Sequence, residues 1–383
     1  MQFIDNVAKK IDINHGTHTR ISAIEGLRAF AVLLVFVVHY TTLIKQWVDV
    51  NKIGATFYDF LHYYGNFGVE LFFIISGYLI YSIVIKHNVN VADYLVKRIQ
   101  RIYPSFIVIL MIYIALCFAV PSENKLPQSL LPQLLYITQN LLLLPGVFQI
   151  KPIITVSWTL SYEMLYYLFL PLFMAIFNFR KLDPNIRKNC IIFVLFSYWL
   201  ICIVFNISVS RISLFCLGAS AYEVKNTLIK EEASNVIGMS SIILSLFSSY
   251  IFIYYNYKLP IIHYILNSIL VFIFYLCSSL YSNSISKVLT SKYIRLFGNI
   301  SYSYFLVHGL TLKFFFFVFN KLIYAHSDLV VAFYCLMPVC FILTLMTAIV
   351  FYLLVEYPLS LKKPLKNYME FQSLLSRAVK CNL

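Results

Sequence analysis

Long apolar runs separated by short polar breaks set the pattern of this chain. Apolar stretches near residues 23–44, 67–85, 103–120, 158–177, 190–207, 211–224, 236–255, 261–281, 296–318 and 329–354 predict ten helices. A helix of about 20 apolar residues crosses the hydrocarbon core of a bilayer. The pattern therefore predicts an all-α integral membrane protein with about ten transmembrane helices. The sixth stretch is short for a full crossing and reads as tilted, broken or starting earlier. One further stretch, 134–144, is about half a span and lies between Pro132 and Pro145. It reads as an interfacial or re-entrant element. The membrane domain is then 21–358, flanked by tails at 1–20 and 359–383, and its largest outward-facing segment is 121–157.

Composition agrees with this reading. The chain is 61% hydrophobic and 12% charged, where a soluble globule carries about 25% charged residues; its mean hydropathy is +0.79. A formal charge of +14 would point to nucleic acid in a soluble protein. Here the placement of the basic residues gives a better explanation, and no nucleic-acid partner is expected. With ten spans, 22 of the 30 Lys and Arg residues fall on one side or in the helix halves nearest it. That asymmetry marks the cytoplasmic side and puts both termini there. All of the eight cysteines except Cys381 lie in or at the ends of apolar stretches, and none forms a CxxC pair. They indicate neither a zinc site nor a disulfide framework, and read as small buried hydrophobes. Residues 1–20 lack the short apolar core and cleavage site of a removable signal.

Chemistry enters where polar side chains interrupt the apolar runs. Arg28 is followed eleven residues later by His39, and every residue between them is apolar. Eleven steps of ~100° return to within ~20° of the start, so the two side chains share a helix face, ~16 Å apart along the axis. With Arg28 at one membrane surface, His39 falls near the bilayer centre, where an ionisable group is a functional candidate by default. Each alone has a plainer reading: Arg28 as a snorkelling anchor, His39 as a hydrogen bond to a neighbouring helix.

Other polar residues accompany this pair. Glu70 opens the second span, whose Ser76-Gly77 reads as close helix packing. Lys97, Arg98 and Arg101 cluster just before the span that begins at Tyr103-Pro104. Such charges often only set topology. Arg98 and Arg101 also share a face at i and i+3, which suits a phosphate-bearing cytosolic ligand. Glu163 lies ~8 Å inside the fourth span, measured from the interfacial Trp158, with Tyr166 and Tyr167 one turn on. A glutamate at that depth must be protonated, paired or beside water. Arg211 opens the sixth span on the outer side, where a carboxylate or a substrate hydroxyl would satisfy it. In the ninth span Tyr304 and His308 are i and i+4, with Ser301 a turn earlier on the same face. Glu356 and Pro358, at the cytoplasmic end of the tenth, read as structural.

Taken in order, these elements resemble the acyltransferase-3 family of multi-span membrane acyltransferases. The matching segments are LRAFAVLLVFVVH at 27–39, VELFFIISGYLI at 69–80, KRIQRIYP at 97–104, WTLSYEMLYY at 158–167, GNISYSYFLVH at 298–308 and VEYP at 355–358. Each is weak alone; six in order are specific, and they cover the membrane domain. Glu70 stands where members often carry Asp, and Lys97 where Arg is frequent. The chain reads as a stand-alone form without a fused periplasmic domain.

The resemblance implies an O-acyltransferase of the bacterial inner membrane. It would move an acyl group, most often acetyl, from acyl-CoA to a hydroxyl of an envelope carbohydrate such as lipopolysaccharide O-antigen or capsule, or of a lipid-linked glycan. Acyl-CoA is then a co-substrate, with no permanently bound cofactor and no metal. Apart from donor and glycan, the expected partners are membrane lipids. Arg28, Lys97, Arg98 and Arg101 suit the anionic donor on the cytosolic side. His39 is the expected general base or a transient acyl-imidazole relay, and Glu163 would orient it or bind the acceptor. Arg211, Ser301, Tyr304, His308 and Tyr166 are expected acceptor-binding or supporting residues. A glycan transporter or flippase is the competing class; it predicts no CoA requirement and tolerance to loss of His39. A membrane scaffold leaves the Arg28–His39 alignment unexplained.

Overall fold

The computed structural model describes residues 10–11, 19–86, 90–120, 124–224, 234–255, 257–322 and 330–361. The expected tails at 1–20 and 359–383 lie largely outside the described residues, as do Cys381 and the basic positions 9, 225, 230, 362, 363, 366, 377 and 380. What is described is all-α. In chain order the α-helices, apart from the single turn Val50–Ile53, are α1 (Thr19–Ile44), α2 (Ala55–Gly65), α3 (Phe67–Lys86), α4 (Val91–Ala119) and α5 (Leu130–Leu141). They continue with α6 (Ser157–Ile176), α7 (Pro184–Val204), α8 (Ile212–Val224), α9 (Ser234–Tyr254) and α10 (Pro260–Leu280). The last are α11 (Ser284–Leu289), α12 (Lys292–Asn299), α13 (Ser301–Leu322) and α14 (Val330–Phe351). Among the described residues nine are long and apolar enough to cross a membrane. The expected sixth span is α8, whose 13 residues rise only ~20 Å against a hydrocarbon core of ~30 Å.

Three boundaries differ from the apolar pattern. The third span is part of a helix that starts at Val91, with Pro104 inside it. The side chain of Asn90 caps that start by accepting the Ala92 N–H at 2.9 Å. Lys97, Arg98 and Arg101 therefore sit two to three turns along a helix rather than ahead of one. The ninth span breaks at Ile300 into α12 and α13. The break lets α12 lie across the first turns of α1, where Arg295 Nε donates to Glu25 Oε2 at 2.9 Å. The tenth span runs on from α14 as a π-helix, Tyr352–Leu361, around Pro358, which has no N–H for an α-helical bond.

The chain forms two compact units: Met1–Ser82 with Leu182–Ala348, and Ile83–Lys181 with Ile349–Leu383. In the first, α3 and α8 cross at two glycines. A Cβ on Gly77 would meet the Phe215 carbonyl oxygen at 2.3 Å, and one on Gly218 would meet the Ile74 carbonyl oxygen at 2.1 Å. Only hydrogen fits there, which gives Gly77 its packing role and places α8 directly on α3. A 3₁₀ turn, Lys45–Trp47, ends α1; its buried Trp47 stacks on Phe316 of α13 at 5.1 Å.

In the second unit, α5 occupies the stretch expected to be interfacial. The buried Asn140 holds the following loop: its Oδ1 accepts the Ile153 N–H at 2.8 Å, while Lys125 Nζ donates to the Ile153 carbonyl at 2.9 Å. Leu130, Leu131, Leu134 and Leu135 of α5 are exposed, an apolar face consistent with contact to lipid.

Candidate active site

The first unit brings together two histidines from helices far apart in sequence. Helix α1 carries both Arg28 and His39 without a break; Arg28 lies nine residues from its start. On α13, His308 is fully buried. The two imidazoles meet edge to face, with ring centroids 4.8 Å apart and planes at 83°. His308 Nε2 lies 3.4 Å from His39 Nδ1.

Backbone carbonyls assign the protons. His39 Nδ1 is 2.9 Å from the Val35 carbonyl oxygen, and His308 Nδ1 is 2.9 Å from the Tyr304 carbonyl oxygen. A carbonyl only accepts, so each Nδ1 carries hydrogen in this network. His308 Nε2 is then a lone pair that shares the His39 Nδ1–H with Val35. On His39 the remaining nitrogen, Nε2, holds the lone pair that can take a proton or attack a carbonyl carbon. The Tyr304 ring stacks beside His308 at 5.5 Å and 12°, and its hydroxyl is 2.8 Å from the Thr344 Oγ1. Tyr304 thus buttresses His308. Ser301 is buried on the same helix, and its hydroxyl has no hydrogen-bond partner among the described residues.

Elsewhere in this unit, Arg211 at the start of α8 is within electrostatic reach of Glu70, the fourth residue of α3. Glu70 is 5% exposed. Glu70 is thus a carboxylate within electrostatic reach of Arg211, and sequence reasoning noticed both without linking them. What joins them is the glycine crossing of α3 and α8.

The second unit holds the other candidates. Arg98 lies between two tyrosine rings, 5.5 Å from the Tyr94 centroid and 5.6 Å from that of Tyr167. Both tyrosines are within electrostatic reach of Glu163. Tyr167, rather than Tyr166, is the residue that α6 turns toward Arg98; Tyr166 is buried. Arg101 donates from Nη1 to Glu356, whose side chain is 0% exposed against 26% for Arg101. Glu356, expected to be structural at the cytoplasmic end of the tenth span, is a buried counter-ion. Lys97 is exposed. The signal for the Arg101 pair was present as two charges in separate motifs, but nothing local linked them.

Comparison with known proteins adds a consistent finding. A family model described as an acyltransferase domain matches residues 21–353. A Staphylococcus aureus (strain COL) protein named "Putative O-acetyltransferase" is 27% identical over 167 residues, 40% of this chain and 25% of that protein. The O-acetyltransferase OatA of Staphylococcus aureus (strain NCTC 8325 / PS 47) is 25% identical over 193 residues, covering 47% of this chain and 29% of its own length. The matched part of the chain thus spans only a quarter to a third of these relatives. No solved structure matches the chain.

Proposed function

The chain belongs to the acyltransferase-3 family, with residues 21–353 matching its model, and on that premise we propose that it is a membrane O-acetyltransferase. The donor in this reading is cytosolic acetyl-CoA, and the acceptor is a hydroxyl of a cell-envelope carbohydrate. The observation that carries it is the imidazole pair on α1 and α13. A sugar hydroxyl attacks a thioester only if a base removes its proton, and histidine has the unperturbed pKa, ~6.5, for that task. His39 Nε2 takes the hydroxyl proton as the new C–O bond forms. The C–S bond of the thioester breaks, and the departing thiolate recovers the proton as CoA thiol. The same lone pair serves a relay in which the acetyl group rests briefly on Nε2.

His308 gives that chemistry direction. Its Nε2 accepts from His39 Nδ1–H, so it holds the ring in one tautomer and favours the imidazolium formed during attack. That is the work of the third group in a nucleophile–base–orienter arrangement. Lys97 and Arg98 are the proposed contacts for the donor's phosphates, and Arg28, on the same helix face as His39, is a further one. Arg101 is engaged by Glu356, and we assign it to the fold. Both termini are cytoplasmic in this reading, in the inner membrane of a bacterium, as the Lys and Arg asymmetry supports.

The test is mass spectrometry of the envelope glycans from cells with and without the gene. The expected result is loss of one acetyl group per modified residue when the gene is absent. Identical spectra from the two strains refute the activity.

A further inference from the structure

A third histidine stands near the imidazole pair, on a helix that the apolar pattern left between the first two spans. Helix α2 lies antiparallel along the C-terminal half of α1 and docks through one face, Tyr58, His62 and Gly65, at i, i+4 and i+7. The Tyr58 hydroxyl donates to the Thr41 carbonyl at 2.6 Å. A Cβ on Gly65 would meet Val38 Cγ2 at 2.5 Å and the Leu34 carbonyl oxygen at 2.8 Å. Contacts on either side thus fix the register of α2 on α1 and hold His62 between them. Its Nδ1 lies 3.3 Å from Thr41 Oγ1 and 3.5 Å from Thr42 Oγ1. Thr42 is three residues on from His39, so the two are neighbours on the helix surface. His62 is within electrostatic reach of His39.

The threonines assign the proton of His62. Thr41 Oγ1 is directed at the carbonyls of Val37 and Val38, each at 2.9 Å, and Thr42 Oγ1 donates to the Val38 carbonyl at 2.7 Å. Each hydroxyl has one hydrogen and a carbonyl only accepts, so both oxygens face His62 with lone pairs. His62 Nδ1 therefore carries the hydrogen, and in the neutral ring Nε2 is the lone pair. That nitrogen has no hydrogen-bond partner among the described residues. His39 and His62 are both half-buried, and Thr42 between them is exposed. This edge of the helix pair is open rather than sealed by packing.

Two imidazoles therefore present the same nitrogen about one helical turn apart along α1. His39 has the His308 ring behind it and takes the proton. His62 has two hydroxyl oxygens behind it and is set to hold a donor in place. Asp59, three residues before it on α2, and Lys45, in the turn that ends α1, are within reach of the ring. A neutral nitrogen lone pair takes an O–H or N–H donor. In the proposed reaction the acceptor arrives from this end of α1 and carries hydroxyls on adjacent carbons. We infer that His62 Nε2 accepts a hydrogen bond from a hydroxyl neighbouring the one that is acetylated, and so selects which hydroxyl reaches His39. The contact deepens the acetyltransferase reading and rests on it for the identity of the acceptor.

Three variants separate the two ring nitrogens. His62→Phe removes both, while the threonine hydroxyls keep their carbonyl partners, so the thermal midpoint changes little. The amide of Gln ends near the place of Nε2, and that of Asn near the place of Nδ1. A role through Nε2 predicts rescue by His62→Gln; a role only in tying α2 to the threonines predicts rescue by His62→Asn. The full chain in lipid nanodiscs is titrated calorimetrically with the base-deacetylated envelope glycan of the producing cells and with acetyl-CoA, and acetyl transfer between them is timed. Glycan Kd is expected to rise roughly five- to tenfold in His62→Phe, as for loss of one hydrogen bond, and to recover further in His62→Gln than in His62→Asn. Acetyl-CoA Kd stays at the wild-type value, and mass spectrometry of the His62→Phe product finds acetyl on more than one hydroxyl. Better recovery by Asn overturns the inference, as does a loss confined to kcat, which would make His62 a proton carrier. Normal transfer by the wild type with unchanged glycan Kd in His62→Phe removes the contact and spares the activity. Weakened glycan binding by His62→Phe, in a chain whose wild type transfers no acetyl group, does the reverse. A wild-type chain that neither binds nor acetylates the glycan removes both.

Discussion

His39 Nδ1 and His308 Nε2 face each other at 3.4 Å across perpendicular rings. Since His39 Nδ1 also points at the Val35 carbonyl, it must carry the proton, and His308 Nε2 accepts a hydrogen bond from it. This fixes which nitrogen of His39 is reactive.

His308→Phe keeps an aromatic ring but removes the acceptor. We expect kcat to fall on the order of 10²-fold with little change in donor KM, as for loss of a group that acts through the base. His308→Gln retains a carbonyl oxygen that can accept from Nδ1–H and should recover part of that loss. Equal kcat values for the two variants would reduce His308 to packing.

Replacing His39 by Gln preserves hydrogen bonding and removes the basic nitrogen. Acetyl transfer should fall by roughly 10²–10⁴-fold, with the protein still accumulating in membranes. A near wild-type rate from His39→Gln would move the reactive centre elsewhere.

The two arginines of the KRIQRIYP segment should separate in their effects. Arg101→Ala leaves Glu356 charged and buried, a change that costs about 3–5 kcal/mol, read as a large drop in thermal midpoint in detergent. Arg101→Met with Glu356→Leu removes both charges and should recover most of the stability. Arg98→Ala should instead weaken acetyl-CoA binding with a smaller effect on melting, because its contacts to Tyr94 and Tyr167 are worth about 0.5–1 kcal/mol each. Reversal of these two patterns would exchange the roles.

Topology is open to labelling of single cysteines in a cysteine-free background. A thiol at the exposed position 125 should react from outside intact cells, and one at the exposed position 97 only after permeabilisation. The opposite result at both positions inverts the orientation.

The sequence alone determined the helical spans, and with them the alignment of Arg28 and His39 on one face. Those features follow from rules that act within one segment: bilayer thickness sets span length, and the helical repeat sets which residues share a side. The same rules misplaced the start of α4 and joined α12 to α13, because capping by Asn90 and the docking of Arg295 on Glu25 are contacts rather than periodicities. They also could not choose partners. His308 lies 269 positions from His39, and Glu356 lies 255 from Arg101. Only tertiary packing decided that His308 accepts a hydrogen bond from His39, that Arg101 is bound to Glu356, and that Glu70 comes within electrostatic reach of Arg211. Apolar helices in a bilayer reveal a buried polar residue by its cost, but the group that offsets the cost depends on which helices pack together.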